Sequence, residues 1–303
     1  MENNTSDTLK LKSYAKINLY LSIGQKLNNG YHNIETILQT VDLYDEISLE
    51  PIKKPDIYIE CNNPEVPTGK KSVMYQAVAM LVANTGKGIR VILNKNIPIA
   101  SGLGGGSSNI AAIMVGINKI FNLKLSKVQL INMAAEFGMD VPFFITRGTV
   151  LAQGRGELIV PLSSVYPPVP LILINPGIKI KSEYAYQLFD QLSDSNKEQA
   201  PSVSHFLNKK EAIKPSEIQQ VVYNSFDAIL SKEYPIIKNI KNRLKNSGAS
   251  AVALSGSGPT VYGLFEKQGY RDKVYENIRE EYPFVYRTCT TQAHKIVFDR
   301  FYN

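Results

Sequence analysis

Apolar and polar positions alternate over much of the first half of the chain. In "AKINLYLSI" (15–23), Ile17, Leu19, Leu21 and Ile23 take one face, while Asn18, Tyr20 and Ser22 take the other. That period belongs to a half-buried strand. "DEISLE" (45–50) and "DIYIE" (56–60) repeat it, and "GIRVILN" (88–94) reads as a further strand. Helical spacing appears over 72–84, where Val73, Ala77, Val78 and Leu81 fall on one side. It returns with Ile110, Ile113, Met114, Ile117 and Phe121. Ser126 followed by Gln129 forms a capping-box pattern for a helix that stops at Gly138, and 149–160 reads as a hairpin.

The segment "PLSSVYPPVP" (161–170) holds four prolines in ten residues and marks a domain joint. Beyond it come a strand over 171–175, a helix over 182–191, a polar surface loop over 192–202, and helices over 216–231 and 235–246. "SAVALSGSGPTVYGLF" (250–265) is strand, glycine turn, strand; a helix and final strands close the chain. Helices and strands interleave, yet the hairpins exclude a purely parallel sheet. The class is α+β (mixed α/β) in two domains, 1–160 and 161–289, with 290–303 a candidate completion of the first.

Composition narrows the class. The 303 residues are 44% hydrophobic and 20% charged, ordinary for a water-soluble globular protein. No apolar run reaches membrane-spanning length, and "MENNTSDTLK" lacks the pattern of a secretory leader. Cys61 and Cys289 stand far apart, without metal-type spacing, which fits a reducing, cytoplasmic setting. The net charge of +7 comes from scattered lysines in pairs at most, so it reads as a solvated basic surface that suits an anionic substrate, with no nucleic acid and no membrane partner.

One stretch asks for chemistry. "PIASGLGGGSSNIAA" (98–112) packs Gly102, Gly104, Gly105 and Gly106 into five residues at the mouth of a helix. Each glycine carries an entropic cost, so the cluster implies that bare backbone amides must approach something closely. Ser107, Ser108 or Asn109 is expected to cap the helix, whose N-terminus carries partial positive charge. Together these features make an anion cradle, and phosphate fits it. The Walker pattern is absent, since no Lys-Ser/Thr follows, and the dinucleotide pattern fails where its third glycine would fall on Ser107.

This run resembles the second motif of the GHMP small-molecule kinases. "YAKINLYL" (14–21) resembles their first motif and "LSGSGPTVYGLF" (254–265) their third, in the same order. "GYH" (30–32) and "GMDVPFF" (138–144) resemble the branch whose substrate is a cytidine-diphosphate-linked methylerythritol. The resemblance implies a two-domain GHMP fold with its site in the cleft, ATP as phosphate donor, Mg²⁺ with the ATP, and phosphorylation of the substrate's 2-hydroxyl in non-mevalonate isoprenoid synthesis. No protein metal ligand is assigned. Alternatives are a GHMP kinase for mevalonate, homoserine or a sugar, and a non-catalytic binding protein of the same fold. The assembly is expected to be a monomer or weak homodimer.

By itself Lys16 fits a solvent-facing edge lysine, and Asp140 a loop aspartate bonding local amides. The resemblance brings them together, Asp140 as general base and Lys16 as the charge that keeps it ionised. It also implies ATP contacts from Lys95, Pro98, Ser101, Gly102, Leu103, Gly104, Gly105, Gly106, Ser107 and Ser108. On the substrate side, Tyr31 and His32 are expected at the cytosine, with Tyr186 as a second plate and Tyr184 its rival. Asn18 is expected to line the site, and Ser255, Gly256, Ser257 and Gly258 to close over it from the side opposite the glycine run. Asn29 and Ser72 depart from the residues usual at their positions, aspartate and asparagine respectively.

Overall fold

The computed structural model describes residues 8–83, 85–192 and 200–292. The polar leader, most of the 192–202 loop and all but the first few residues of 290–303 therefore lie outside the described residues. Two long strands organise the first half. β1 (Leu9–Lys26) and β2 (His32–Ile52) pair antiparallel, joined by a tight turn at Asn29–Gly30. Gly30 takes φ +84°, and the Asn29 carboxamide oxygen accepts from the Tyr31 amide at 3.1 Å, so asparagine supplies the turn-closing acceptor.

The far edge of β2 is shared. Its first part pairs with β5 (Thr149–Gly154), and its last part with β4 (Gly88–Asn94). β3 (Ile57–Cys61) extends β4 in parallel, and β6 (Leu158–Pro161) closes the expected hairpin with β5. A seventh strand, β8 (Tyr223–Asn224), comes from the second half and runs parallel to β1 at Tyr20–Leu21. The smaller sheet has the order β11 (Phe284–Cys289), β7 (Pro170–Asn175), β10 (Val261–Leu264), β9 (Ala251–Leu254), antiparallel throughout.

Ten helices accompany the sheets among the described residues. α1 (Val73–Val82), α2 (Gly105–Ile120), α3 (Lys127–Ala134) and α4 (Val141–Thr146) cover one end of the large sheet through a core that includes Leu49, Val91, Ile113 and Phe143. A second cluster joins Ile17 and Leu19 of the large sheet to Leu171, Leu173 and Tyr262 of the small one. A third packs the small sheet against α5 (Ser182–Asp190), α8 (Asp227–Glu233), α9 (Pro235–Asn246) and α10 (Gln268–Ile278). α6 (Ser204–Leu207) and α7 (Pro215–Val221) bury Phe206 and Ile218 in the second cluster.

Two expectations need correction. The single helix over 216–231 is two, α7 and α8, separated by β8. Asn224 makes the break: its amide group donates to the carbonyls of Leu254 (2.9 Å) and Gly256 (2.8 Å), while its oxygen accepts from the Phe226 amide. A helix through this point would lose all three bonds. The cap of α2 is not a serine or asparagine but Gly104, in the left-handed region at φ 70°, and no side chain caps the helix. The capping box at Ser126 and Gln129 is present as read.

Candidate active site

A β-bulge sets up the first motif. In a regular strand Ser13 and Ala15 would share a face, but the register shifts between Tyr14 and Ala15. Ser13 therefore meets α2, donating to Ser108 at 2.7 Å, while Ala15 joins the core between the sheets. Lys16 is thereby turned toward the glycine loop, and its own amide bonds the Leu103 carbonyl at 3.0 Å. It is not an edge lysine in water: it is 4% exposed. Its ammonium donates to Asn18 at 2.6 Å, Asn18 to Thr36 at 2.8 Å, and Thr36 to the Tyr20 carbonyl at 2.6 Å.

Asp140 stands at the N-terminus of α4, fixed by the buried Val141, Phe143 and Phe144 behind it. One carboxylate oxygen lies 3.8 Å from the Lys16 ammonium, and the side chain is 40% exposed. Two residues 124 positions apart thus face each other, one buried and one open to the cleft. Burial pulls the Lys16 pKa down from its ordinary value, against the Asp140 charge, which raises it.

The glycine loop lies against this pair. A Cβ at Gly104 would sit 2.6 Å from the Phe144 ring and 3.1 Å from Lys16 Cγ, so only glycine lets the loop pass. One at Gly102 would meet the Ser255 carbonyl at 2.1 Å. At Gly106 the same atom would find open space. The first turn of α2 carries no acidic residue and no side-chain cap, which leaves its amides to an external anion. Alongside runs a cavity of about 880 Å³ lined by Val66, Ser72, Met74, Pro98, Ser101 and the glycines. Ser72 caps α1 at its edge, accepting from the Tyr75 amide.

Several residues expected to meet ligand are engaged with protein partners. Ser108 donates to the Tyr14 carbonyl at 2.6 Å and is 3% exposed, so it pins α2 to β1 and cannot face a nucleotide. Lys95 is part of the cavity wall, its ammonium paired with Asp45 at 2.5 Å and with Asn109 at 3.3 Å. Asp45 is fully buried and also accepts from the amides of Asn96 and Ile97 and from Asn109. Leu103 is fully buried and offers main chain alone.

The third motif interlocks with the loop instead of standing opposite it: the Ser255 hydroxyl, fully buried, donates to the Gly102 carbonyl at 2.8 Å. Next to it Gly256, at φ 57°, brings its backbone against Lys16, whose ammonium would lie 3.2 Å from a Cβ there. Gly258 supports the turn at φ 74°, and Ser257 bonds Ser182 at 2.9 Å.

The aromatic end is made of side chains. His32 stacks on Tyr186 with centroids 5.0 Å apart and planes 16° apart. Tyr31 is half exposed, with the Arg155 guanidinium over its ring at 5.4 Å. Tyr184 points away and donates to Glu233 at 2.7 Å, so of the two tyrosines it is Tyr186 that meets His32. Burial, with the Asp140 charge adding to it, pushes the Tyr186 phenol up to about 12.

Sequence reading missed Asp190, which accepts from His32 Nε2 at 2.6 Å and pairs with Lys26. Its spacing of four from Tyr186 on α5 places both on one helix face, a signal available in the sequence. Asp45 and Asn224 gave no comparable signal. Among the described residues, no group of three or more His, Cys, Asp or Glu side chains could hold a metal ion, and no helix is long and apolar enough to cross a membrane.

Residues 72–148 match the GHMP kinases N terminal domain, and residues 206–283 match the GHMP kinases C terminal. The chain is 36% identical over 273 residues to a 4-diphosphocytidyl-2-C-methyl-D-erythritol kinase of Caldicellulosiruptor bescii, covering 89% of this chain and 94% of that one. A protein of the same name from Bacillus pumilus is 35% identical, with 88% and 92% covered. A crystal structure of 4-(cytidine 5'-diphospho)-2C-methyl-D-erythritol kinase superposes with a TM-score of 0.79 at 25% identity, covering 93% of this chain and all of that one (100%). Homoserine kinase from Cytophaga hutchinsonii reaches 0.71 at 18% identity, with 96% and 97% covered, a likeness of fold alone.

Proposed function

The chain belongs to the GHMP kinases, and from that premise we propose that it transfers the γ-phosphoryl group of ATP to the 2-hydroxyl of 4-diphosphocytidyl-2-C-methyl-D-erythritol. The substrate oxygen forms a bond to the γ-phosphorus, and the bond from that phosphorus to the β–γ bridging oxygen breaks. ADP leaves with the electron pair, and the hydroxyl proton passes to Asp140. The observation that carries this reading is the approach of Lys16 and Asp140 to 3.8 Å beside the glycine loop.

Each part has a physical task. The amides of Gly102 and of Gly104–Ser107 grip the phosphate chain, with the adenosine in the adjoining cavity between Ser72 and Pro98. Buried Lys16 balances charge that builds on the transferring group, in a setting where water screens little. Asn18 and Thr36 hold its ammonium in place. Tyr31, His32 and Tyr186 receive the cytosine, whose π-face suits aromatic plates. Asp190 holds the His32 ring through Nε2 and so orients it beside the base. Mg²⁺, if brought by ATP, would supply neutralisation of charge on the phosphate oxygens. The donor set around Lys16 is one carboxylate facing an ammonium, and it does not form a protein metal cage.

The test is ADP release by purified protein given ATP and a panel of alcohols, with Asp140→Asn alongside. Turnover is expected with the cytidine-bearing alcohol. Asp140→Asn should lower kcat by about 10²–10⁴-fold while both substrates still bind. Full turnover by that variant removes the general-base role, and exclusive turnover of mevalonate or homoserine removes the cytidine assignment.

A further inference from the structure

In the second half, α8 and α9 border a second concavity of about 510 Å³, none of whose lining residues belongs to the glycine loop. Lys238, Lys241 and Lys245 line it from α9, at spacings of three and four that place them on one face. The adjacent face of α9 carries Ile237, Ile240 and Leu244, each one residue before a lysine, into the core, so the orientation of the helix is fixed. From α8 come Lys232 and Ser231, and the floor is Val222–Asn224. A depression of this size is in the range that holds small ligands.

Its charge is one-sided. Asp227, the lone acid on its wall, is engaged: one oxygen pairs with Lys241 at 3.0 Å, and the other accepts from the Leu254 amide at 3.1 Å. Lys232, Lys238 and Lys245 are exposed, and no ion pair or hydrogen bond joins them to another described residue. Like charges at helical spacing repel, and a bound anion would reverse that repulsion. The Ser231 hydroxyl oxygen is enclosed and meets no hydrogen-bond partner. A buried hydroxyl in that state costs free energy unless something bonds it. Lys232 on α8 faces the row of lysines on α9 across the hollow, an arrangement that suits a compact anion better than a nucleic-acid strand.

We propose that this hollow is a second anion site, separate from the ATP loop, which takes a small molecule bearing a diphosphate group. The ammoniums of Lys232, Lys238 and Lys245 contact the phosphate oxygens, and Ser231 donates to one of them.

Inorganic pyrophosphate is the probe, titrated calorimetrically into full-length protein whose ATP site is already saturated with a non-hydrolysable ATP analogue. One further equivalent should bind, with affinity falling as salt rises. Lys238→Ala/Lys245→Ala should weaken that binding at least tenfold and leave KM for ATP and kcat within twofold, since both side chains project into solvent. Ser231→Ala should weaken it by about threefold to tenfold without changing the unfolding midpoint by more than about 2 °C. Absence of the extra equivalent overturns the proposal, as does binding unchanged in the double lysine variant. Preference for single-stranded RNA over pyrophosphate at equal phosphate concentration also overturns it.

Discussion

At the glycine loop, the groups proposed to meet ligand are main-chain amides held from behind by buried neighbours. Around Tyr31, His32 and Tyr186 they are side chains, and Tyr31 is half exposed. The loop is wedged between Phe144, Lys16 and Ser255 with no room for a Cβ at Gly102 or Gly104. The aromatic end rests on Asp190, which holds His32 and pairs with Lys26, on Arg155 over Tyr31, and on ring stacking. Phosphate is the same in every nucleotide and can be met by rigid backbone. A base must be distinguished from other bases, and side chains do that.

If the contrast holds, substitutions should separate the two ends, most strongly at the loop. Gly102→Ala combines a left-handed φ of 76° with a backbone clash at 2.1 Å. It should abolish measurable turnover or soluble expression. Gly106→Ala, one turn on and in open space, should leave the denaturation midpoint at or above that of the unaltered protein, because alanine favours a helix by about 1 kcal/mol. Equal damage from both would mean that the loop is not wedged.

A smaller effect should belong to the aromatic end. Asp190→Ala frees the His32 ring, and KM for the cytidine-bearing alcohol should rise about tenfold, with KM for ATP and stability little changed. Tyr184→Phe, which removes a hydroxyl bonded only to exposed Glu233, should alter neither. A parallel rise in KM for ATP would erase the division between the ends.

The smallest effect is one of pH. In the proposed role Lys16 is protonated, and burial lowers its pKa, so kcat should decline on the alkaline side before an ordinary lysine would titrate. Stability moves the other way. The unfolded chain binds this proton more tightly, so the cost of burying the ammonium is relieved as pH rises from the depressed value toward the ordinary one. Lys16→Arg should carry the alkaline limb upward, since guanidinium stays charged. An unmoved limb would assign it to another group.

The three motifs and the alternating strands were readable because each repeats a local rule. What escaped reading depends on partners distant in sequence. β2 is legible at 45–50 but runs from residue 32, because Gln39, Thr40 and Asp45 put polar groups at buried positions and break the alternation. They are tolerated because Gln39 bonds the Thr40 carbonyl and Thr149, while Asp45 holds Lys95. Ser108 was expected to contact ligand, but burial made it a prop between the helix and β1, while Lys95 lines the cavity with its ammonium held by Asp45. The pairing of Lys16 with Asp140 came from resemblance, and the bulge that aims Lys16 leaves no mark in the residue pattern.

β8 has a consequence for how this chain can be divided. Two residues from beyond the proline-rich joint complete the edge of the large sheet, and Thr290 bridges back to Val41. A cut anywhere in 161–170 would strip β1 of its flanking strand a few residues from the ammonium it presents. The carboxy-terminal fragment would leave Asn224 with a glycine turn to brace and no lysine to brace it against. Co-expression of the two fragments, not either alone, is the route by which a split form of this protein would regain a working cleft.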